Sequence, residues 1–357
     1  MQKFKRVVII SDRIRGHYHQ SLGIGEWLER LGNDIELDTS IVSVPEMSSF
    51  DRVMKLKIFV RGLEVHGGSY SREWLKAAGV RFKKYEQGTT LFISAGSKAA
   101  PFCLALAKAT KNKCAVIMTP SVLQLKSFDY AVVPEHDKPD PKLSNVMTTL
   151  GAPNHIYTPS LKEIASQYFS GKNLEGQKVI ALLIGGSDAN YKISSRWARD
   201  VLTPLRNIKD AKFLITTSRR TGEGVEDTVS EIFSGCPSVE LMFLYSKSLN
   251  QNSITAILGA STHVLVTEDS VSMVSEAVTA GFKVGLIRVP RTTGKIKHML
   301  GFGARRFDDL FSEMSERGLI EDFGYDLNFP KFMAADEQKH GQDFNEAKRA
   351  AKWILDN

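Results

Sequence analysis

The sequence predicts an α/β protein of two Rossmann-like, doubly wound domains with a cleft between them, and three observations carry that expectation. Short β-branched runs alternate with helix-like segments along most of the 357 residues, and strict alternation of this kind means parallel sheets covered on both faces. The alternation starts twice, at Val7–Ser11 and again at Val179–Ile184, with the polar stretch Thr158–Gln177 as a plausible linker. At roughly 100–200 residues per domain, the length also favours two domains. Two such sheets facing one another leave an interdomain crevice, a preferred place for small-molecule sites.

In the first half, Val7–Ser11, Leu91–Ser94, Ala115–Met118 and Ala131–Val133 are short apolar runs, the pattern of strands buried on both faces. Val179–Ile184, Lys212–Thr216, Val264–Thr267 and Val284–Ile287 repeat it in the second half. Helical periodicity predicts helices over Gln20–Leu31 and Ala100–Lys111, then over Ile193–Leu205, Gly224–Phe233, Ser253–Gly259 and Val271–Ala280. Gln342–Leu355 looks like a last amphipathic helix. The expected layout is thus one domain over 1–160, a second over 175–335, and a C-terminal segment 336–357 that packs back on the first.

Composition removes several classes of function. With 42% apolar and 24% charged residues the chain is ordinary globular material. Three cysteines (Cys103, Cys114, Cys236) form no CxxC pair, which argues against a disulfide scaffold or structural zinc and fits a reducing cytoplasm. The run Val7–Ile10 is too short for a signal-peptide core, and no stretch approaches the roughly 18–20 apolar residues of a membrane span. Cytoplasmic residence is the expectation. The only Gly-Lys pairs, at Gly171 and Gly294, are followed by Asn and Ile, so a phosphate P-loop is missing. The loop after the first strand has a single glycine, which excludes a dinucleotide fingerprint there. GxSxG and HExxH are absent too, and no metal or cofactor is expected.

Four strand-end loops carry the remaining chemistry. The first, Asp12 to Ser21, adds Arg15, Gly16, His17 and His19 to a strand-to-helix turn. Histidine, with an ordinary pKa of about 6.5, can serve as a general base; the alternative is a turn at Gly16 with capping or solvated histidines. The second, Gly185-Gly186-Ser187-Asp188, lets the backbone approach a ligand closely, or merely allows a tight turn. The third, Thr216 to Gly222, holds Ser218, Arg219 and Arg220; paired arginines can neutralise a diphosphate without a metal, or form a solvated loop with one salt bridge. The fourth runs from Thr267 through Asp269, Ser270 and Ser272 to Glu276. Its hydroxyls and free helix N–H groups suit phosphate oxygens, and Glu276 can accept from both hydroxyls of a ribose; the plain alternative is an N-cap with an exposed carboxylate.

The charge excess, +7 overall, is concentrated: residues 51–85 hold nine basic side chains against three acidic ones. Val53, Met54, Leu56, Ile58, Phe59, Val60, Leu63 and Trp74 interleave with them. Such a segment suits the surface of an anionic bilayer, or is an ordinary solvated face. No nucleic-acid module accompanies it, so nucleic acid is not an expected partner.

The hydroxyl-rich turn followed by Ser275-Glu276-Ala277-Val278-Thr279-Ala280-Gly281 resembles the donor element of GT-B glycosyltransferases. More closely, the chain resembles the mitochondrial-fission Elm-type family. The matching strings are Ser11-Asp12 with Arg15-Gly16-His17, Gln20-Ser21-Leu22-Gly23, Ile93-Ser94-Ala95-Gly96, Val133-Pro134-Glu135-His136-Asp137, Thr149 to Asn154, Thr216 to Thr221 and Thr267 to Glu276. They span roughly residues 5–300; Asp12-Arg13-Ile14 departs from the more usual Asp-Gly-(Arg/Lys)-Pro. The resemblance implies a glycosyltransferase that moves a sugar from a nucleotide-sugar donor to a surface-glycan or lipid-linked acceptor of lipooligosaccharide-core type. It gives Glu276 the ribose and the turn before it the phosphate; with the strand-end loops, the donor would lie on Gly185, Gly186, Ser218, Arg219, Arg220, Asp269, Ser270, Ser272 and Glu276 of the C-terminal domain. Asp12 and His17 would be catalytic, with Arg15, Gly16, His19 and Gly96 on the acceptor side. The basic, apolar segment 51–85 would bring the enzyme into peripheral contact with the inner face of the cytoplasmic membrane, near a lipid-linked acceptor. A non-catalytic adaptor of the mitochondrial-fission type and a nucleotide-sugar epimerase are the alternatives.

Overall fold

The computed structural model describes residues 4–45, 70–208, 210–248, 253–292, 305–324 and 329–357, together with 54, 56, 58, 59 and 62. The chain divides into two compact units, Met1–His155 with Asn345–Asn357, and Ile156–Phe344.

The first unit is built on strands β1 (Arg6–Ser11), β2 (Glu36–Ser43), β3 (Thr90–Ala95), β4 (Lys113–Ile117), β5 (Tyr130–Pro134) and β6 (Val146–Thr149), all parallel in the order β2-β1-β3-β4-β5-β6. Helices α1 (Arg15–Leu31) and α2 (Gly96–Thr110) follow β1 and β3. Because successive side chains in a strand point to opposite faces, Val8 and Ile10 join one core layer with Phe92 and α2, while Val7 joins the other with Ile24 and Leu28 of α1. Both faces are apolar, which is why the strand reads as an unbroken Val/Ile run.

The second unit opens with α3 (Leu161–Tyr168) and then lays down β7 (Lys178–Ile184), β8 (Ala211–Thr217), β9 (Val239–Phe243), β10 (His263–Thr267), β11 (Val284–Ile287) and β12 (Ile320–Asp322). Its sheet is parallel in the order β12-β11-β10-β7-β8-β9. Helices α4 (Ser195–Arg206), α5 (Glu223–Phe233), α6 (Ile254–Ala260), α7 (Val271–Thr279) and α8 (Arg305–Glu316) connect or cover the strands, and a single turn, α9 (Phe329–Phe332), follows β12. The last helix, α10 (Glu346–Asp356), packs on α1 of the first unit through Ala347, Ala350, Ala351 and Ile354.

The polar stretch expected to be a linker is ordered instead. Leu161 and Ala165 bury one side of α3, and α6 approaches so closely that a Cβ on Gly259 would lie 2.1 Å from Leu161 O. The segment 51–85 falls partly outside the described residues. Where it is described, Leu56, Phe59 and Trp74 belong to the core: the Trp74 ring sits 4.4 Å from Phe59 and 5.0 Å from Phe102. Three of the apolar side chains that suited a bilayer are therefore spent on packing α2, and Met54 and Ile58 stay exposed.

Strand order fixes where ligands can go. In an open parallel sheet, connections leave toward opposite sides at one point, opening a crevice at the strand carboxyl ends. In the first sheet that point lies between β1 and β3, in the second between β7 and β10.

Candidate functional site

At the first switch point, β1 delivers Asp12 and β3 delivers Gly96. Arg13 adopts a left-handed φ of 63°, and the turn is fastened by Arg13 N–H donating to Ser11 Oγ (3.1 Å) and Ile14 N–H donating to Asp12 Oδ1 (3.1 Å). The other carboxylate oxygen lies 2.8 Å from His17 Nδ1. Only 1% of the Asp12 side chain is exposed, against 22% of His17. Burial opposes ionisation of Asp12, but the hydrogen bond and charge of His17, the Ile14 N–H and the charge of Lys98 outweigh it, so its pKa lies below the ordinary value. A carboxylate accepts only, so Nδ1 must carry the proton and Nε2 is left as the basic nitrogen.

Gly96 begins α2 at φ 78°, and a Cβ there would stand 2.5 Å from His17 Cε1. Its lack of a side chain makes the room for the imidazole. His19 stacks obliquely on His155, ring centroids 4.2 Å apart. Arg15 is exposed, and Gly16 has open space around its Cβ position. Asp12, His17 and Gly96 thus come together; Arg15 and Gly16 stand beside them on the first turn of α1.

At the second switch point the loops are tied to one another. Gly185 N–H donates to Thr267 Oγ1 and Gly186 N–H to Asp269 Oδ2, both at 2.8 Å. Arg220 reaches across, Nη1 donating to Gly186 O (2.7 Å) and Nη2 to Asp269 Oδ2 (2.9 Å). Thr221 Oγ1 donates to Gly185 O at 2.5 Å and accepts from Ser218 N–H at 2.9 Å. No side chain fits at either glycine: a Cβ on Gly185 would meet Asp269 Oδ2, and one on Gly186 the Arg220 backbone, each at 2.1 Å. The Asp269 side chain is fully buried, and that burial raises its pKa against the lowering by Thr267, Arg220 and the Gly186 N–H. Arg220 and Asp269 are accordingly the clasp of the loops, while Arg219 is exposed.

Helix α7 starts at Ser270, whose side chain caps no N–H. Its first-turn N–H groups therefore form an uncapped, positive helix end beside the Ser270 and Ser272 hydroxyls. Glu276, one and a half turns on, is 9% exposed.

A third group of residues was not visible as a motif. Glu268, fully buried, accepts from Val289 N–H (2.7 Å) and pairs with Arg288 (2.6 Å) and Arg291 (3.5 Å). Arg288 also pairs with Asp322, and Arg291 with Asp308. Tyr191, 1% exposed, lies against this network, and burial with the Glu268 charge raises its pKa. The signal was present in Arg288 and Arg291, two cations flanking the end of a fully apolar strand, but their acidic partners are 17 to 34 residues away in sequence.

The family model described as "Mitochondrial fission ELM1" matches residues 15–357. The chain belongs to that family. Curated proteins give no match. Among solved structures, a Listeria monocytogenes protein described as a UDP-N-acetylglucosamine 2-epimerase superposes with a TM-score of 0.52 at 14% identity, over 99% of this chain and 95% of its own. The S. aureus MnaA–UDP co-structure superposes with a TM-score of 0.50 at 12% identity, again over 99% of this chain and 95% of that one. At such identity the likeness is one of fold, and the fold is GT-B.

Proposed function

We propose that this ELM1-family protein is a metal-independent glycosyltransferase that binds a nucleotide-diphosphate sugar on its second unit. The observation that carries the reading is the Asp12–His17 pair at 2.8 Å on the carboxyl edge of the first sheet, a proton-accepting device that donor binding alone does not need. His17 Nε2 takes the proton of an acceptor hydroxyl as that oxygen attacks the anomeric carbon, and Asp12 orients the ring and stabilises the imidazolium that forms. The sugar–phosphate bond breaks and the nucleoside diphosphate leaves.

The second unit supplies the grip on that leaving group. Ser218, Arg219, Ser270, Ser272 and the uncapped start of α7 hold the diphosphate, and Glu276 accepts from the ribose hydroxyls. Gly185 and Gly186, expected to let a ligand approach the backbone, instead make room for Asp269 and Arg220, and the Arg220–Asp269 clasp keeps the loops in register. Charge stabilisation of the leaving group by fixed donors is the dominant catalytic contribution of such a site. The acceptor is a surface-glycan or lipid-linked hydroxyl, as the family resemblance implies.

The test is calorimetric titration of uridine, cytidine and guanosine diphosphates into the wild type and Glu276→Ala, in buffer with EDTA. One nucleotide is expected to bind the wild type and to bind the variant at least about 10-fold more weakly, the loss of one hydrogen bond to a charged group. If neither form binds any nucleotide, the donor assignment is wrong and a non-catalytic adaptor replaces it. Conversion of a nucleotide-sugar without acceptor would instead indicate an epimerase.

A further inference from the structure

We infer that the first unit carries a second, separate anion site on the opposite edge of its sheet, built to take a phosphate-bearing ligand. A cavity of about 520 Å³ there is lined by Arg72, Lys83, Lys84 and Lys111, with Phe82 and Tyr85 as aromatic walls. Residues 80–89 lead into the amino end of β3, and Lys111 lies between α2 and the amino end of β4. The strands are parallel, so this edge faces away from the carboxyl ends that hold Asp12, His17 and Gly96. It is not part of the site described above, and it does not depend on that site's function.

The charge is only partly compensated. Of the four cations, Lys83 is paired with Asp38 (2.5 Å) and Arg72 donates to Ala109 O (3.1 Å), covering a carbonyl at the negative end of α2. Thr110 Oγ1 covers Leu106 O, and the Lys111 and Asn112 N–H groups cover Ala107 O. The helix carbonyls are thus satisfied internally, and the ammonium groups of Lys84 and Lys111 have no partner among the described residues. Among the described residues, no acidic side chain lines the cavity. All four cations are solvent-exposed, and a concavity lined by one sign of charge draws in an anion. Its size matches small-ligand pockets, commonly 300–1,000 Å³, and exceeds what a chloride needs. Lysines as point charges with a bidentate arginine suit phosphate oxygens, and the Tyr85 and Phe82 rings suit the carbon skeleton carrying them.

Two sources share this chemistry, a soluble phosphorylated compound and the headgroup of an anionic phospholipid. The experiment separates them using the full chain. Pyrophosphate is titrated in saturating UDP, so that any donor-site binding is already blocked, into the wild type, Lys84→Gln/Lys111→Gln and Lys84→Arg/Lys111→Arg. In parallel, flotation is measured with phosphatidylcholine vesicles with and without phosphatidylglycerol. Both lysines are exposed, so the variants should melt with the wild type. Each charge–phosphate pair near 4 Å in a water-like dielectric is a factor of about 5 in affinity, so the glutamine variant should bind roughly 25-fold more weakly, and the arginine variant like the wild type. Loss confined to pyrophosphate identifies a soluble ligand, and loss confined to anionic vesicles identifies a headgroup; either supports the site. If the glutamine variant matches the wild type in both arms, or the wild type binds neither probe, the proposal falls. UDP titrated alone reads the donor site independently.

Discussion

The two units solve the same topological problem in opposite ways. At the switch point of the first sheet the loop is organised around one titratable pair, and Gly96 keeps space for the imidazole to stay partly exposed. At the switch point of the second, the glycine loop, the Arg220 loop and the Asp269 turn are cross-bonded until no extra carbon fits at Gly185 or Gly186. One edge holds a partly exposed imidazole fastened to a buried carboxylate; the other ties its loops together in advance. That difference is what the proposed transfer reaction would ask for, since a leaving diphosphate is best met by groups that need not rearrange, whereas an acceptor hydroxyl would need a base.

The sharpest way to break this contrast is at Asp12. Replacing it with Asn keeps the shape, removes the charge and favours the wrong imidazole tautomer. Turnover should fall by about 10²–10⁴-fold, the usual worth of positioned acid–base catalysis, with nucleotide diphosphate affinity unchanged. Steady-state rates and titration on the same protein check both halves. Unaltered turnover would remove the first unit from the chemistry.

The units should also part on acidification. Asp12 has a depressed folded pKa, so its contribution is present above the unfolded value of 3.8 and is lost only as pH falls through a still lower folded value. His263 in the second unit works over a higher window. It is completely buried, and burial followed by the Lys178 charge lowers its pKa from 6.5 to about 4. Between those values the unfolded chain binds a proton that the folded one refuses, so stability falls as pH drops from 6.5 toward 4 and this effect then levels off. The shift corresponds to about 3 kcal/mol. Hydrogen exchange of β7 and β10 amides at pH 6.5 and 4.5 should show the second sheet opening first, and His263→Gln should flatten the dependence. Equal acid sensitivity of both sheets would contradict it.

How much of this was legible follows the same logic of burial. Among the described residues, the eight strands predicted from sequence are the eight interior strands, and the four that were missed, β2, β6, β9 and β12, are the sheet edges. An interior strand is apolar on both faces and reads as a run such as Val179–Ile184. An edge strand is not: every residue of Val239–Phe243 is only half-buried, and its Val-Glu-Leu-Met-Phe carries a charge at the second position. The site was legible as loops, because strand ends and unusual residues are local features. Pairings across 82 residues, such as Gly185 with Thr267, have no local trace, and neither does the buried Glu268–Arg288 network.

Arg219 and Arg220 show the limit most clearly, and they give the finest of the tests. Side by side in sequence, they invite one role, a paired phosphate clamp. The fold separates them: Arg220 is committed to Gly186 O and Asp269, while Arg219 is exposed. Arg220→Ala should therefore act on the scaffold, leaving the buried Asp269 carboxylate without its cation and lowering the melting temperature. Arg219→Ala should leave melting unchanged and weaken nucleoside diphosphate binding by about 5-fold, the worth of one solvent-facing charge pair. That binding loss should shrink at high salt, because exposed pairs are screened within a Debye length of about 10 Å at 0.1 M. Calorimetry at two ionic strengths, with thermal melts of both variants, distinguishes the roles. Were the two substitutions to exchange their effects, the rigid cradle assigned to the second unit would have to be redrawn around Arg220 as the ligand.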